Sequence, residues 1–279
     1  MQIENVATSP ALVPVPSFMR EYRRYDRMME SIEERMLDAA RLEQGQVVID
    51  VGSGAGTTAL KAARRVGARG EVLAIDANPR AARFVGERAR ASGLVQVRAV
   101  CADAETCPFA ERQAHAAVSR FGTLHFAHPV KAFDNLRRAL YPGQKLCFLC
   151  ARAPERNAWF TVPSTTIARA VPELSERHAE SAGAGPFALS DASKIRSLLA
   201  VAGFCDATLT SIDEPLCVGE DVDDALEFLF ETDAKALVDR LDEGTLLRMT
   251  DALRIAFHSF ASDRGVWMQG SVWLVEARA

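Results

Sequence analysis

The sequence predicts an open α/β fold, a mostly parallel seven-stranded sheet with helices on both faces and a helical cap. Two observations carry this. Between residues 46 and 150, short continuous apolar runs alternate with stretches of helical periodicity. Strands buried on both faces and joined by crossover helices read this way. At the end of the first such run a glycine-rich turn leads straight into a helix.

The elements follow in order. Residues 1–16 hold three prolines and little periodicity, and read as an extended or mobile arm. In 17–42, Phe18, Tyr22, Tyr25, Met28, Met29, Ile32, Met36 and Leu37 recur at helical steps, which marks an amphipathic helix. Strands are expected at 46–51, 71–75, 95–101, 114–119 and 145–150, and helices at 57–66, 79–92 and 129–140. Pro79 suits a first helical turn, and Gly93 a helix end. Beyond residue 151 the pattern loosens. A loop and short helix fill 152–189, and Ser190 is expected to cap a helix over 191–202. Strands at 207–212 and 272–275 bracket helices within 221–262. The chain thus divides into a helical arm or lid (1–45), a binding core (46–151) and a part that completes the sheet and adds the cap (152–279).

Bulk properties exclude several classes. The 279 residues carry a net charge of -4 with 25% charged side chains, so no basic footprint points to nucleic acid or anionic lipid. No apolar run reaches about 18 residues, the minimum for a membrane helix. The first residues lack the basic and apolar regions of a secretory signal, and a cytoplasmic location is expected. Cys147 and Cys150 spell C-x-x-C, but on a strand they point to opposite faces. No metal site is expected.

The chemistry concentrates at Asp50-Val51-Gly52-Ser53-Gly54-Ala55-Gly56. Glycines allow close backbone approach, and a strand-to-helix turn aims N–H groups at a ligand. The third glycine comes one residue earlier than in the dinucleotide fingerprint G-x-G-x-x-G. Asp50 disfavours a pyrophosphate and suits a cationic ligand. Asp76 ends the next strand, where a carboxylate can accept ribose hydroxyls. Asp103 follows the third strand, where a carboxylate could accept an adenine amine.

Residues 46–150 resemble the class I S-adenosylmethionine-dependent methyltransferases. The matching pieces are 48–56, Val72-Leu73-Ala74-Ile75-Asp76, Ala102-Asp103-Ala104 and the turn around Pro142-Gly143. Ser119-Arg120-Phe121-Gly122 and Asn157-Ala158-Trp159-Phe160 resemble a UbiE/COQ5-like bacterial subgroup acting on small molecules. The resemblance implies a Rossmann-like core with S-adenosyl-L-methionine as cofactor. Gly52, Ser53, Gly54 and Gly56 would line its methionine moiety and Asp50 would lie near the amine. Asp76 and Ala77 would meet the ribose, Asp103 and Ala104 the adenine, and Ser119 and Arg120 would stand beside the cofactor. The family usually has an acidic residue where this chain has His115, a position that is typically structural.

On the acceptor side, His125 and His128 follow the fourth strand and could take a proton near neutral pH. Alternatively, His128 caps the helix that begins at Pro129 and His125 packs on the sheet edge. Tyr22 and Tyr25 on the N-terminal helix, with Trp159 and Phe160, are candidate acceptor contacts, although Phe18, Met28 and Met29 suggest a helix simply packed down. The apolar stripes in 221–262 suit core or a homodimer contact. The expected activity is methyl transfer to a small, moderately hydrophobic or aromatic molecule. A cyclisation or rearrangement on the same fold, or cofactor binding alone, are the alternatives.

Overall fold

Alternating apolar side chains along each central strand feed two separate cores, one on each face of the sheet. In β1 (Val47–Val51), Val48 points to one core and Ile49 and Val51 to the other. The computed structural model describes residues 16–172 and 185–279. The expected arm at 1–15 lies outside the described residues.

The chain enters through α1 (Ser17–Arg20) and α2 (Tyr22–Ala40), then β1. Next come α3 (Thr57–Val66), β2 (Glu71–Asp76), α4 (Pro79–Ala91), β3 (Val97–Cys101) and β4 (Ala114–Arg120). They are followed by α5 (Pro129–Ala139), β5 (Leu140–Ala151), α6 (Ala158–Ala170), α7 (Ala192–Val201) and β6 (Cys205–Gly219). The cap helices are α8 (Val222–Glu231), α9 (Lys235–Val238) and α10 (Glu243–His258), and β7 (Ala261–Ser262) and β8 (Gly265–Arg278) close the chain.

The strands order β3-β2-β1-β4-β5-β8-β6, with β7 on β8. The five from β3 to β5 pair in parallel. β8 runs antiparallel to both β5 and β6. The order reverses between β1 and β4, and ligands bind at such a switch point, outside the carboxyl ends of the strands. One core receives α2, α3, α6, α8 and α10; the other is closed by α5 and α7. Cys147 joins the first core and Cys150 the second. Burial pushes both thiols up to about 12, so neither is a thiolate at neutral pH.

Several expectations need correction. The sheet has eight strands rather than seven, because the two-residue β7 pairs with the start of β8. The last strand is not four residues but fourteen. Its polar positions had masked it, since β8 pairs with β6 well beyond the end of β5. The N-terminal helix is interrupted at Glu21. Asp191, not Ser190, caps α7: its carboxylate accepts the N–H groups of Ser193 and Lys194, while Ser190 gives its carbonyl to the Trp273 indole at 2.9 Å.

Phe148 lies in the middle of the sheet, fully buried between β4 and β8 and packed on Phe133 of α5. Phe148→Ala should cost about 3–5 kcal/mol, read as a drop in the urea midpoint with little change in slope.

Candidate functional site

The cradle is built from two loops that leave neighbouring strands at the switch point. Gly52, Gly54 and Gly56 all have positive φ, at 65°, 53° and 88°. A side chain at Gly52 would put its Cβ 2.5 Å from the Gly122 Cα. One at Gly122 would lie 2.2 Å from the Val51 carbonyl oxygen and 2.8 Å from the Gly52 Cα. Two bare backbones therefore touch there, and Gly56 opens α3 directly. Ser119 is buried and donates its hydroxyl to the Val51 carbonyl at 2.8 Å. It fastens β4 to β1 and does not line the cavity.

The acidic residues are held by backbone donors. Asp76 accepts the Gly54 N–H at 2.8 Å through one oxygen and the Asn78 N–H at 2.8 Å through the other. Each carboxylate oxygen keeps further acceptor capacity, and the group is aimed across the glycine turn. Asp103 accepts the Glu105 N–H at 2.8 Å. Asp50 is 1% exposed and stands one residue behind the cavity wall. Burial and the neighbouring Glu33 push its carboxyl up to about 8 against the pull of Arg120.

Among the described residues, five buried polar atoms around this turn have no hydrogen-bond partner: Glu33 Oε2, Asp50 Oδ2, Ser53 Oγ, Arg120 Nη1 and Thr123 Oγ1. Two of them face an opposite charge, Glu33 Oε2 the Lys61 ammonium at 3.0 Å and Arg120 Nη1 the Glu33 carboxylate at 3.6 Å. Buried polar groups are nearly always paired, so Asp50, Ser53 and Arg120 keep an acceptor, a hydroxyl and a cationic donor that a ligand could use. An amino-acid moiety carries the matching ammonium and carboxylate. The residues present therefore fit the methionine end of S-adenosylmethionine.

α2 is latched over the cradle by charge. Asp26 accepts the Thr57 hydroxyl at 2.6 Å and the Arg120 guanidinium at 3.0 Å. Glu33, fully buried, accepts the Thr58 hydroxyl at 2.6 Å and faces the Lys61 ammonium at 3.0 Å. Arg88 donates to the Ala55 carbonyl and the Thr57 hydroxyl, with its guanidinium 4.2 Å over the Tyr22 ring. On its other side α2 is tied to the cap, where Arg24 and Arg27 share Asp224 at 2.7 and 2.8 Å.

A cavity of roughly 660 Å³ begins at this turn and extends beneath the cap. At the cradle end it meets 51–55, 75–78 and 102–105. At the other end α2 contributes Tyr25, Met28 and Met29, α8 Phe228, and β6 and β8 Leu216, Val218, Met268 and Val272. The structure thus brings together Gly52, Ser53, Gly54, Asp76, Ala77, Asp103, Ala104, Arg120, His125, Tyr25 and Trp159 on one cavity.

Other expected residues lie off it. Gly56, Asp50 and Ser119 stand behind the cradle wall. Tyr22 packs on Phe84 and Arg88 instead. Phe160 stacks edge-on against Phe187 at 4.7 Å, leaving Trp159 as the cavity wall. His128 makes no side-chain cap; its backbone N–H and Nδ1 both meet the Glu105 carboxylate, at 2.8 and 2.9 Å. That contact holds the 3₁₀ segment Gly122–His125 and α5 to the loop after β3. His115 accepts the Val47 N–H at 3.1 Å, a structural role.

Sequence reasoning missed three residues of note. Gly122 entered only as part of the Ser119–Gly122 resemblance, with no role of its own. Asn157, fully buried, links the Ser271 N–H, the Trp159 indole and two carbonyls after β5. Asp233 reaches the cavity from the turn after α8, far along the chain from any motif.

Residues 48–143 match the model of a methyltransferase domain. The ubiquinone/menaquinone biosynthesis C-methyltransferase UbiE of Edwardsiella ictaluri is 27% identical over 63% of this chain and 73% of its own length. Residues 48–143 are thus a methyltransferase domain, and its relatives support a class I S-adenosylmethionine-dependent methyltransferase. UbiE of Bordetella avium is 36% identical, but over only 39% of this methyltransferase and 43% of the relative. The strongest identity is thus confined to a part of each chain. In fold, the geranyl diphosphate C-methyltransferase of Streptomyces coelicolor A3(2), solved with S-adenosyl-L-homocysteine, covers 99% of this chain and 91% of its own, at a TM-score of 0.54 and 15% identity. The enzyme's cofactor is S-adenosylmethionine. Among the described residues no helix is long and apolar enough to cross a membrane, and no cluster of side chains could hold a metal ion.

Gly122→Ala should push the two loops apart. The expected result is a loss of S-adenosylhomocysteine affinity of about tenfold or more by calorimetry, with a lower melting temperature. Unchanged affinity would show that the glycine contact does not shape the cradle.

Proposed function

We propose that the enzyme transfers a methyl group to a small, predominantly apolar or aromatic acceptor bound in the chamber beneath the cap. The observation that supports this is the single cavity, which joins the glycine cradle to a chamber walled by Tyr25, Met28, Trp159, Phe228 and Met268. S-adenosylmethionine, when bound, supplies an electrophilic methyl group on a sulfonium with a good leaving group. Positioning then provides much of the acceleration.

The chain's own residues divide the remaining work. Asp76 accepts hydroxyls of the ribose, with Ala77 beside it, and Asp103 and Ala104 meet the adenine. Arg120 donates from Nη1 to the carboxylate of the methionine moiety, and Asp50, one residue behind the wall, supplies negative charge toward the ammonium. Gly52 and Gly54 let the backbone approach, and Ser53 donates its hydroxyl. α2 roofs the site and excludes water. His125 borders the chamber at the end of the 3₁₀ segment and can accept a proton where the acceptor nucleophile carries one. His128, committed to Glu105, is left out of this role.

The direct test supplies small lipophilic hydroxyl, amine and carbon acceptors and counts S-adenosylhomocysteine against methylated product. One should form per turnover. Conversion of an acceptor without S-adenosylhomocysteine would replace this reading by a rearrangement. Asp76→Ala should weaken cofactor binding by roughly ten- to a hundredfold, the worth of one or two hydrogen bonds to a charged group.

A pH dependence follows from Asp50. Its carboxyl rises to about 8 in the folded protein, against an ordinary value near 3.9. From about pH 4 to 8 only the unfolded chain loses this proton, so stability falls across that window. A ligand ammonium favours the ionised carboxylate. S-adenosylhomocysteine affinity should therefore rise between pH 6 and 8, by up to about tenfold per unit, and Asp50→Asn should flatten the profile.

A further inference from the structure

The chamber wall built by α8 is apolar until its end, where Thr232 and Asp233 follow Ala225, Phe228 and Leu229 into the cavity. Asp233 belongs to no motif and takes no part in the cradle. Asp233 is exposed and lines the cavity, and the protein packed around it raises its carboxyl. No hydrogen bond or ion pair to it is found among the described residues.

The cations on the elements around it are engaged elsewhere. Lys235 pairs with Glu231 and Asp239 at 3.7 and 3.3 Å. Arg20 pairs with Glu231 at 3.3 Å, and Arg24 with Glu21, Asp224 and Glu227. Arg120 is held by Asp26.

Three features favour a positive charge beside Asp233. Asp233 is a carboxylate on an otherwise apolar chamber wall with no cation opposite it among the described residues, and an opposite charge favours its ionised form. The residue lies just beyond the C-terminal end of a ten-residue helix, the negative pole of its dipole. Burial first, and then the Asp233 charge, raise the Tyr25 phenol; Tyr25 lines the same cavity and sits edge-on to Phe228 at 4.9 Å. Aromatic faces add attraction for an organic cation. An anionic acceptor would meet the carboxylate and the helix pole with no free cation among the described residues of that wall.

We propose that the α8 end of the chamber is a cation site, in which Asp233, flanked by Tyr25 and Phe228, seats the ammonium group of an amine-bearing acceptor. The ammonium is a handle that sets the orientation of an otherwise apolar molecule. The assignment rests on the reading that the acceptor occupies this cavity, and it selects amines over neutral and anionic molecules of the same shape.

The test uses the full chain saturated with S-adenosylhomocysteine and three probes of one skeleton: phenylbutylamine, phenylbutanol and phenylbutyrate. Calorimetry should rank the amine about tenfold or more above the alcohol, with the carboxylate weakest. Asp233→Asn should erase the amine preference while leaving S-adenosylhomocysteine affinity intact, and Asp233→Glu should restore part of it. Equal binding of the three probes, a preference for the carboxylate, or no binding of the amine to the loaded wild-type protein would overturn the cation site. So would an amine preference that survives Asp233→Asn. Should the variant fail to fold, the ranking on the wild-type protein decides. Failure of S-adenosylhomocysteine itself to bind would sink the cofactor-site reading, a separate result.

Discussion

The contact between Gly52 and Gly122 sets the geometry on which everything else in the site depends. Two loops cross there with no side chain between them, because none fits between the Val51 carbonyl and the backbone after β4. The Ser119 hydroxyl locks the strands behind the crossing. With that separation fixed, the N–H groups of the turn, the Asp76 carboxylate and the start of α3 face one point. Hydrogen bonds alone could not hold this arrangement, since a single added carbon would displace the loop that carries them.

Above this crossing the fold invests in buried charge. Asp26, Glu33, Arg120, Lys61 and Arg88 form a set in which nearly every charge has an opposite neighbour. Pairs of this kind contribute little net stability once desolvation is counted. Their use here is registry. They fix which face of α2 meets the glycine turn and leave Arg120 Nη1 facing Glu33 at 3.6 Å with no hydrogen bond of its own. The same helix presents Tyr25, Met28 and Met29 to the chamber, so one element both roofs the glycine turn and walls the chamber.

The core was legible in the sequence because its chemistry is local. The strand, turn and helix around Gly52 to Gly56 lie within a few residues of each other, and Asp76 and Asp103 each end the next apolar run. Strand edges and caps were less so: α7 is capped by Asp191 because that side chain, not that of Ser190, reaches the first free N–H groups. β8 was read as four residues because its outer half alternates polar and apolar side chains over a partner more than forty residues upstream. The acceptor chamber was barely legible. Asn157, Phe228 and Asp233 are brought together only by long-range packing of α6, α8 and β8 around α2. His128 shows the limit of proximity along the chain: it follows the right strand, but Glu105 lies nearer than the cavity.

β6 and β8 project past the end of β5 as a two-stranded ribbon, since residues 265–271 of β8 pair with β6 and the short β7 but not with β5. Leu216, Val218 and Met268 of that overhang, with α8 packed on it, form part of the chamber wall. On the proposed reading, substitutions in the ribbon change what is methylated and leave the glycine turn as it is. The match to the methyltransferase-domain model ends at residue 143, before any of the ribbon begins.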